Sequence, residues 1–179
     1  GSGWTGSYSA AQAFGVPNPD VMTLGKRIAL GFPMTATMTS SKIASAIGMG
    51  QHFNTFAGSP FVCYMAHIWL DWLQDGGLES IKEKGAYIAD VLMRLRFVKA
   101  VHQHGMMMSF EPDYEVLPYN GADLCRAARE RGLLIVTHRL DKHVRFSPPC
   151  SIPMHQIDSA IEALALAHDD LMTTVERRA

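Results

Sequence analysis

Residues 19–34 read PDVMTLGKRIALGFPM, and this stretch decides the fold. Its apolar run Val21–Leu24 predicts a short buried strand that a glycine closes. The Gly31-Phe32-Pro33 turn then leads into a second predicted strand over residues 34–39. Lys26 therefore lies immediately after the end of a strand.

Lys26 is the sharpest candidate for chemistry. A lysine at the end of a buried strand can be partly desolvated, and desolvation favours the neutral amine. A neutral amine can attack a carbonyl to form a Schiff base and can later move protons. Most lysines are solvated, so the spacing by itself favours an ordinary surface lysine.

The loop at residues 51–60, QHFNTFAGSP, leads into a predicted helix. Backbone N–H groups and the Thr55 hydroxyl in such a loop could bind a phosphate, helped by the positive end of the helix. An ordinary loop capped by Ser59 explains the same pattern. Both interpretations stay open at this point.

Arg145 lies in a predicted strand that ends in the pair Pro148-Pro149. An arginine at this position can bind a carboxylate through two parallel hydrogen bonds. A strand arginine that faces solvent is the simpler alternative.

The fold class predicted for the chain is α/β. Helices are expected over residues 10–14, 41–47, 60–73, 78–95, 122–131 and 154–175, and further strands over residues 98–102, 106–111, 133–137 and 143–146. The later strands and helices form an α+β layer. We place the domain boundary near Arg96, between residues 1–96 and 97–179.

Composition excludes several classes of function. The net charge is -1 and there is no basic block, so nucleic acid is not an expected partner. His67 and Asp71 interrupt the longest apolar stretches, which are shorter than the roughly 20 residues of a membrane-spanning helix. No membrane association is expected.

Cysteine and histidine usage predicts neither a disulfide framework nor a metal site. The three cysteines, Cys63, Cys125 and Cys150, are far apart and show no CxxC spacing, which indicates a reducing compartment. Four histidines could suggest a metal, but none has a carboxylate at metal-ligand spacing in the sequence. We interpret these four, His102, His104, His138 and His143, as structural or surface residues.

The sequence motifs around these candidates resemble those of class III aminotransferases, which depend on pyridoxal 5'-phosphate. The resemblance rests on Gly3-Trp4-Thr5-Gly6, on the strand ending in Gly25-Lys26, and on Gly31-Phe32-Pro33-Met34. The loop with Thr55 and the strand with Arg145 follow in the family's order. It covers nearly the whole chain.

The resemblance implies the C-terminal part of a fold type I transferase. Residues 1–96 would be the end of the large cofactor-binding domain with a linker helix, and residues 97–179 the small C-terminal domain. Lys26 would carry pyridoxal 5'-phosphate as a Schiff base, and Thr55 would bind its phosphate from the neighbouring subunit of a homodimer. Arg145 would bind the substrate carboxylate.

The implied reaction moves an amino group between an amino acid or omega-amino compound and a 2-oxo acid. The Thr55 loop looks most like alanine-glyoxylate type enzymes and phospholyases, followed by 4-aminobutyrate and lysine aminotransferases. Alternatives are a lyase, mutase or decarboxylase of the same class, or a catalytically inert fragment. The expected location is the cytoplasm, or the mitochondrial matrix in a eukaryote.

Two departures from the family pattern stand out. Gln103 occupies a position where the family usually has a glycine, so the local backbone is expected to differ. The family's phosphate-binding turn, ring-stacking aromatic residue and pyridine-facing Asp would all precede Gly1. We therefore expect the 179 residues to be a fragment that lacks half of the cofactor site.

Overall fold

The chain forms two compact units, Gly1–Glu79 and Ser80–Ala179. The structure, a computed structural model, describes residues 1–16, 18–137 and 142–177. The boundary expected between residues 96 and 97 concerns the domains of a longer enzyme and stays a prediction.

In its described residues, the first unit contains one short hairpin and three α-helices. Its elements are α1 (Ala10–Ala13), β1 (Val21–Leu24), β2 (Ala36–Thr39), α2 (Ser41–Ala44) and α3 (Pro60–Trp72). Strands β1 and β2 are antiparallel, with Val21 opposite Thr39. A 3₁₀ helix, Lys26–Ala29, follows β1 after one glycine. The predicted strands and helices are therefore present, with β1 at the expected residues.

Strand β1 is not buried, which contradicts the expectation from its apolar sequence. Val21 is 49% exposed, and Met38 on β2 is 52% exposed. Within the described residues, β2 is the only strand that pairs with β1. A two-stranded ladder has little to cover its faces, so apolar character here does not produce burial.

Helix α3 packs against the N-terminal segment of the first unit. The Trp69 Nε1 donates a hydrogen bond of 3.0 Å to the Ser2 carbonyl oxygen in a buried position. Ser59 is the N-cap residue and Pro60 follows in the first turn, as expected, although the Ser59 hydroxyl makes no capping hydrogen bond. Gly76, at φ 84, breaks the helix before α4 begins, as the Gly-Gly pair predicts.

The part of the second unit that the structure describes is an antiparallel sheet with three helices. Its elements are α4 (Leu78–Met93), β3 (Val98–His104), β4 (Met107–Pro112), α5 (Gly121–Glu130), β5 (Val136–Thr137), β6 (Val144–Phe146) and α6 (Met154–Glu176). The sheet order is β3-β4-β6-β5. The predicted α+β layer is confirmed, and α5 and α6 lie within one residue of their expected bounds.

Helix α4 approaches the turn between β3 and β4 very closely. A Cβ atom at Gly85 would overlap the carbonyl oxygen of Gly105, so this position requires glycine. The Gln103 side chain also uses that oxygen, since its Nε2 donates to it at 2.9 Å. Strand β3 pairs regularly through this region, with Gln103 opposite Met108.

The core of this unit lies between the sheet and the helices. Fully buried side chains come from α4, β4, α5 and α6, namely Ile81, Ile88, Leu92, Phe110, Leu124, Ile157 and Leu164. Asn120 caps α5 in a capping box with Asp123. Among the described helices, none has the length and hydropathy that crossing a membrane requires.

His168 on α6 is half-buried beside two aromatic residues. Its ring stacks on Phe97 at 4.4 Å between centroids, and its Nδ1 lies 2.6 Å from the Tyr119 hydroxyl. Burial lowers the pKa of His168, and the nearby Asp169 carboxylate only partly offsets this. Burial likewise raises the pKa of Tyr119. Both groups are therefore neutral in the folded chain near pH 7.

We expect the free energy of unfolding to fall as the pH drops below about 6.5, the ordinary histidine value. Because His168 has a lowered pKa when folded, the unfolded chain binds the proton first, and protonation favours unfolding. Urea denaturation at a series of pH values would measure this slope. The slope should flatten in His168→Gln and stay unchanged in His155→Gln, an exposed histidine of the same helix. Equal slopes in all three proteins would show that His168 does not cause the pH dependence of the free energy of unfolding.

Candidate functional site

Lys26 has an unusual backbone for a side-chain-bearing residue. It begins the 3₁₀ helix after the extended Gly25, and its φ is 54. The left-handed region costs a non-glycine residue about 1–2 kcal/mol, so such residues are uncommon. Leu30, at the end of the same 3₁₀ helix, also has φ 54. The segment that carries Lys26 is thus held in a strained turn at both ends.

One contact brings this turn next to the glycine-rich N-terminal segment. The Arg27 guanidinium lies over the Trp4 ring, with Cζ 4.4 Å from the ring centroid. The Trp4 Nε1 and the Thr5 Oγ1 are buried without hydrogen-bond partners in the described part of the chain. The N-terminal segment therefore lies beside the turn that carries Lys26 and Arg27.

The expected partial burial of Lys26 is wrong for this chain, because the side chain is exposed. The strand before it is itself open to solvent, so there is little apolar surface to cover the amine. An exposed amine can be reached by an aldehyde. The residues present therefore fit covalent attachment of pyridoxal 5'-phosphate at this position.

Thr55 lies in an exposed turn before α3. The Asn54 Oδ1 accepts a hydrogen bond from the Phe56 N–H at 2.9 Å, which shapes the turn. Phe53 and Phe56 are 85% and 84% exposed. The Thr55 hydroxyl is likewise accessible and could donate to a phosphate oxygen.

Arg145 lies on β6 and faces away from the core. Its neighbours Val144 and Phe146 are buried, whereas Arg145 is exposed. Its Cα pairs with Ser109 on β4 and with Val136 on β5. The strand thus presents the guanidinium on the outer face of the sheet, where it can bind a carboxylate.

Lys26 and Thr55 belong to the first unit, and Arg145 belongs to the second. The expectation that Lys26 and Arg145 face one cleft stays a prediction. The roles of all three residues likewise stay predictions.

A cavity of about 250 Å³ lies in the first unit. Its lining is mainly apolar and includes Met22, Leu24, Ile28, Met38, Trp69 and Leu73. Neither Lys26 nor Thr55 lines it. An apolar cavity without cationic groups does not suit a phosphate, so we do not place the cofactor there.

The sheet brings together residues that are distant in the sequence. One possible ligand atom from each of His102, Glu111 and His143 lies within 4.8 Å of the others. The interpretation of His102 and His143 as structural or surface residues rested on sequence spacing alone. Only the strand pairing could have revealed the neighbouring carboxylate. His138, set aside with them, lies outside the described residues.

We expect glycine to be more stable than alanine at position 26, by about 1 kcal/mol in the free energy of unfolding. The Cβ atom of alanine keeps the strain of the left-handed backbone, and glycine removes it. Denaturant unfolding of Lys26→Gly and Lys26→Ala measures the difference. The order should reverse at Arg27, which continues the 3₁₀ helix without a positive φ. Alanine as the better residue at both positions would show that Lys26 is unstrained.

The amino-acid sequence of this chain is similar to those of several known aminotransferases. A mitochondrial acetylornithine aminotransferase of Alnus glutinosa is 36% identical over 169 residues, covering 92% of this chain and 36% of that protein. The acetylornithine aminotransferase of Methanocaldococcus jannaschii is 31% identical over 182 residues, covering 99% of this chain and 43% of that protein. The chain therefore spans less than half the length of these relatives.

Solved structures agree with the sequence matches. The ornithine aminotransferase of Toxoplasma gondii, with PLP partly occupying its active site, matches with a TM-score of 0.83 and 25% identity. The match covers 100% of this chain and 43% of that one. Both units thus have the secondary structure of a fold type I transferase. The family model described as "Aminotransferase class-III" matches residues 1–167, and the chain therefore belongs to the class III aminotransferases.

Proposed function

We propose that this chain provides the cofactor lysine and the substrate arginine of a pyridoxal 5'-phosphate-dependent aminotransferase. The observation that carries the proposal is the strained, left-handed backbone of Lys26, which presents an exposed amine directly after β1. Strained backbone of this kind clusters at active sites and ligand-binding turns. Family membership supports the same assignment, because the match includes Lys26.

Each candidate residue has a distinct task in this proposal. The Lys26 amine binds the cofactor's aldehyde carbon and, once released, moves a proton at the substrate carbon that carries nitrogen. Pyridoxal 5'-phosphate, when bound, supplies an electron sink. The Thr55 hydroxyl donates to its phosphate from the neighbouring subunit of a homodimer. Arg145 orients a substrate carboxylate through paired hydrogen bonds.

The relatives suggest the substrate class. The proteins from Methanocaldococcus jannaschii and Alnus glutinosa are named acetylornithine aminotransferases, and the solved relative is an ornithine aminotransferase. We therefore propose a donor of the ornithine type with a 2-oxo acid as acceptor. The likeness of the Thr55 loop to alanine-glyoxylate type enzymes stays a prediction. Lyase, mutase or decarboxylase activity is the alternative within the class.

A catalytically inert fragment is the second candidate function. The observation in its favour is that the chain spans only 43% and 36% of the two acetylornithine aminotransferases compared above. The remaining cofactor contacts would then come from residues outside this sequence.

We propose the cytoplasm as the location of the protein, or the mitochondrial matrix in a eukaryote, since some relatives are named mitochondrial. Neither a nucleic acid nor a membrane is proposed as a partner.

The first test traps the cofactor on Lys26. Pyridoxal 5'-phosphate is added, the mixture is reduced with borohydride, and peptides are analysed by mass spectrometry. The label should concentrate on the Lys26 peptide, because the proposal places a cofactor site at this amine and at no other lysine. Lys26→Ala should remove it, and Lys42→Ala, an exposed lysine of α2, should not.

The outcome also separates the two candidate functions. Selective labelling in a longer gene product but not in the 179 residues would identify the isolated chain as inert. Labelling spread evenly over the lysines of both proteins would contradict the proposed role of Lys26.

The second test concerns Arg145 in the active enzyme. We expect Arg145→Gln to raise the KM for a 2-oxo acid by about 10- to 100-fold, since a lost hydrogen bond to a charged group is worth about 1.5–3 kcal/mol. Steady-state kinetics would measure it. The increase in KM should nearly vanish with an aldehyde acceptor, because an aldehyde has no carboxylate for Arg145 to bind. Arg94→Gln, which breaks only an exposed pair with Asp90, is the control. An equal loss with both acceptors would argue against carboxylate binding.

A further inference from the structure

The outer face of the second sheet carries a group of metal-ligating side chains. His102 lies on β3 with its Cα opposite Ser109, and Glu111 lies two residues further along β4. His143 immediately precedes β6, whose Val144 pairs with Phe110. Side chains alternate across a sheet, so these three share the face opposite the buried Val144 and Phe110. They belong to three adjacent strand segments of one unit.

The distances are close to those of a metal site. One possible ligand atom from each residue lies within 4.8 Å of the other two. The two imidazole rings meet edge to face, with centroids 5.0 Å apart and planes at 80°. Ligands about 2.0–2.1 Å from a tetrahedral metal are roughly 3.3 Å from one another. Small side-chain rotations would bring the three atoms to that separation.

The donor set indicates which metal would bind. Two imidazoles and one carboxylate are typical ligands of zinc, and three protein ligands leave a fourth position for water or an anion. Magnesium and calcium prefer sets made of oxygen alone. Imidazole nitrogen therefore favours Zn²⁺ and similar transition metals over the hard cations.

Nearby positive charge sets a limit on the affinity. Arg145 lies on the same face, since its Cα also pairs with Ser109, and Lys142 precedes His143 in the chain. Both oppose a divalent cation, whereas Glu111 supplies one negative charge to balance it. The same charges favour an anion rather than neutral water as the fourth ligand.

We propose that His102, Glu111 and His143 form a binding site for one divalent transition metal ion, with Zn²⁺ as the best match. All three residues belong to the second unit, and the proposal goes beyond the proposed aminotransferase function. The site depends on the sheet of the second unit and requires no pyridoxal 5'-phosphate.

Zinc binding to the untagged chain, measured by titration calorimetry with ZnCl₂ alone, tests the proposal. We expect one Zn²⁺ per chain. His102→Ala and His143→Ala should each weaken binding at least about tenfold, since even residues that only orient a ligand contribute 10- to 100-fold. Glu111→Gln should do the same while keeping the shape of the side chain. His155→Ala, an exposed histidine of α6, should bind as the unchanged protein does.

Two further measurements make the result decisive. Circular dichroism of each variant shows whether the fold is retained, and Co²⁺ absorption in the visible range reports the ligands directly. Loss of the Co²⁺ spectrum in a folded Glu111→Gln protein would support the site. Absence of zinc uptake, or uptake that the three substitutions leave unchanged, would overturn it. The second result would direct attention to other ligands, such as Cys63 and His67 of α3.

Discussion

The close approach between Gly85 and Gly105 is the constraint on which the second unit depends. Helix α4 can lie against the β3–β4 turn only because no Cβ atom stands between the helix and that carbonyl oxygen. This contact lets Ile81 and Ile88 of α4 enter the core. The position of the hairpin then determines which side chains of β4 and β6 face outward. Arg145 and the histidine-glutamate group owe their placement to this packing.

Gln103 illustrates how the same turn accepts a departure from the family pattern. The resemblance to the family implies a glycine there, and the expected difference in local backbone stays a prediction. In this chain the strand ladder continues through His104 opposite Met107. The Gln103 amide folds over the turn and donates to the Gly105 carbonyl oxygen. A local hydrogen bond thus accommodates the side chain without disturbing the pairing.

Local features of the fold could be predicted from the sequence, because they depend on residues that are neighbours along the chain. The run Val21–Leu24 gives β1 at its observed bounds, and the Gly76-Gly77 pair separates α3 from α4. Burial could not be predicted in the same way. Val21 is apolar yet half exposed, because burial depends on what covers a strand rather than on the strand itself.

In the candidate site, too, local features could be predicted from the sequence and long-range ones could not. Lys26, Thr55 and Arg145 could be singled out from motifs, but the left-handed backbone of Lys26 could not. The meeting of His102 with Glu111 and His143 depends on strand order and on the hairpin register, which pairs His102 with Ser109. Pairing between strands that are distant in the sequence produces no motif with a fixed spacing, so it could not be predicted. Motifs therefore identify the residues, whereas the fold determines their neighbours.

The open hairpin of the first unit has a consequence for handling the chain by itself. Within the described residues, β1 and β2 pair only with each other, which leaves unpaired N–H and C=O groups along both outer edges. Unprotected strand edges next to exposed apolar side chains such as Val21 and Met38 are templates for aggregation. Concentrated preparations would favour intermolecular sheets over monomers. Lysine substitutions on the outward positions of β2 would act as gatekeepers against this self-association.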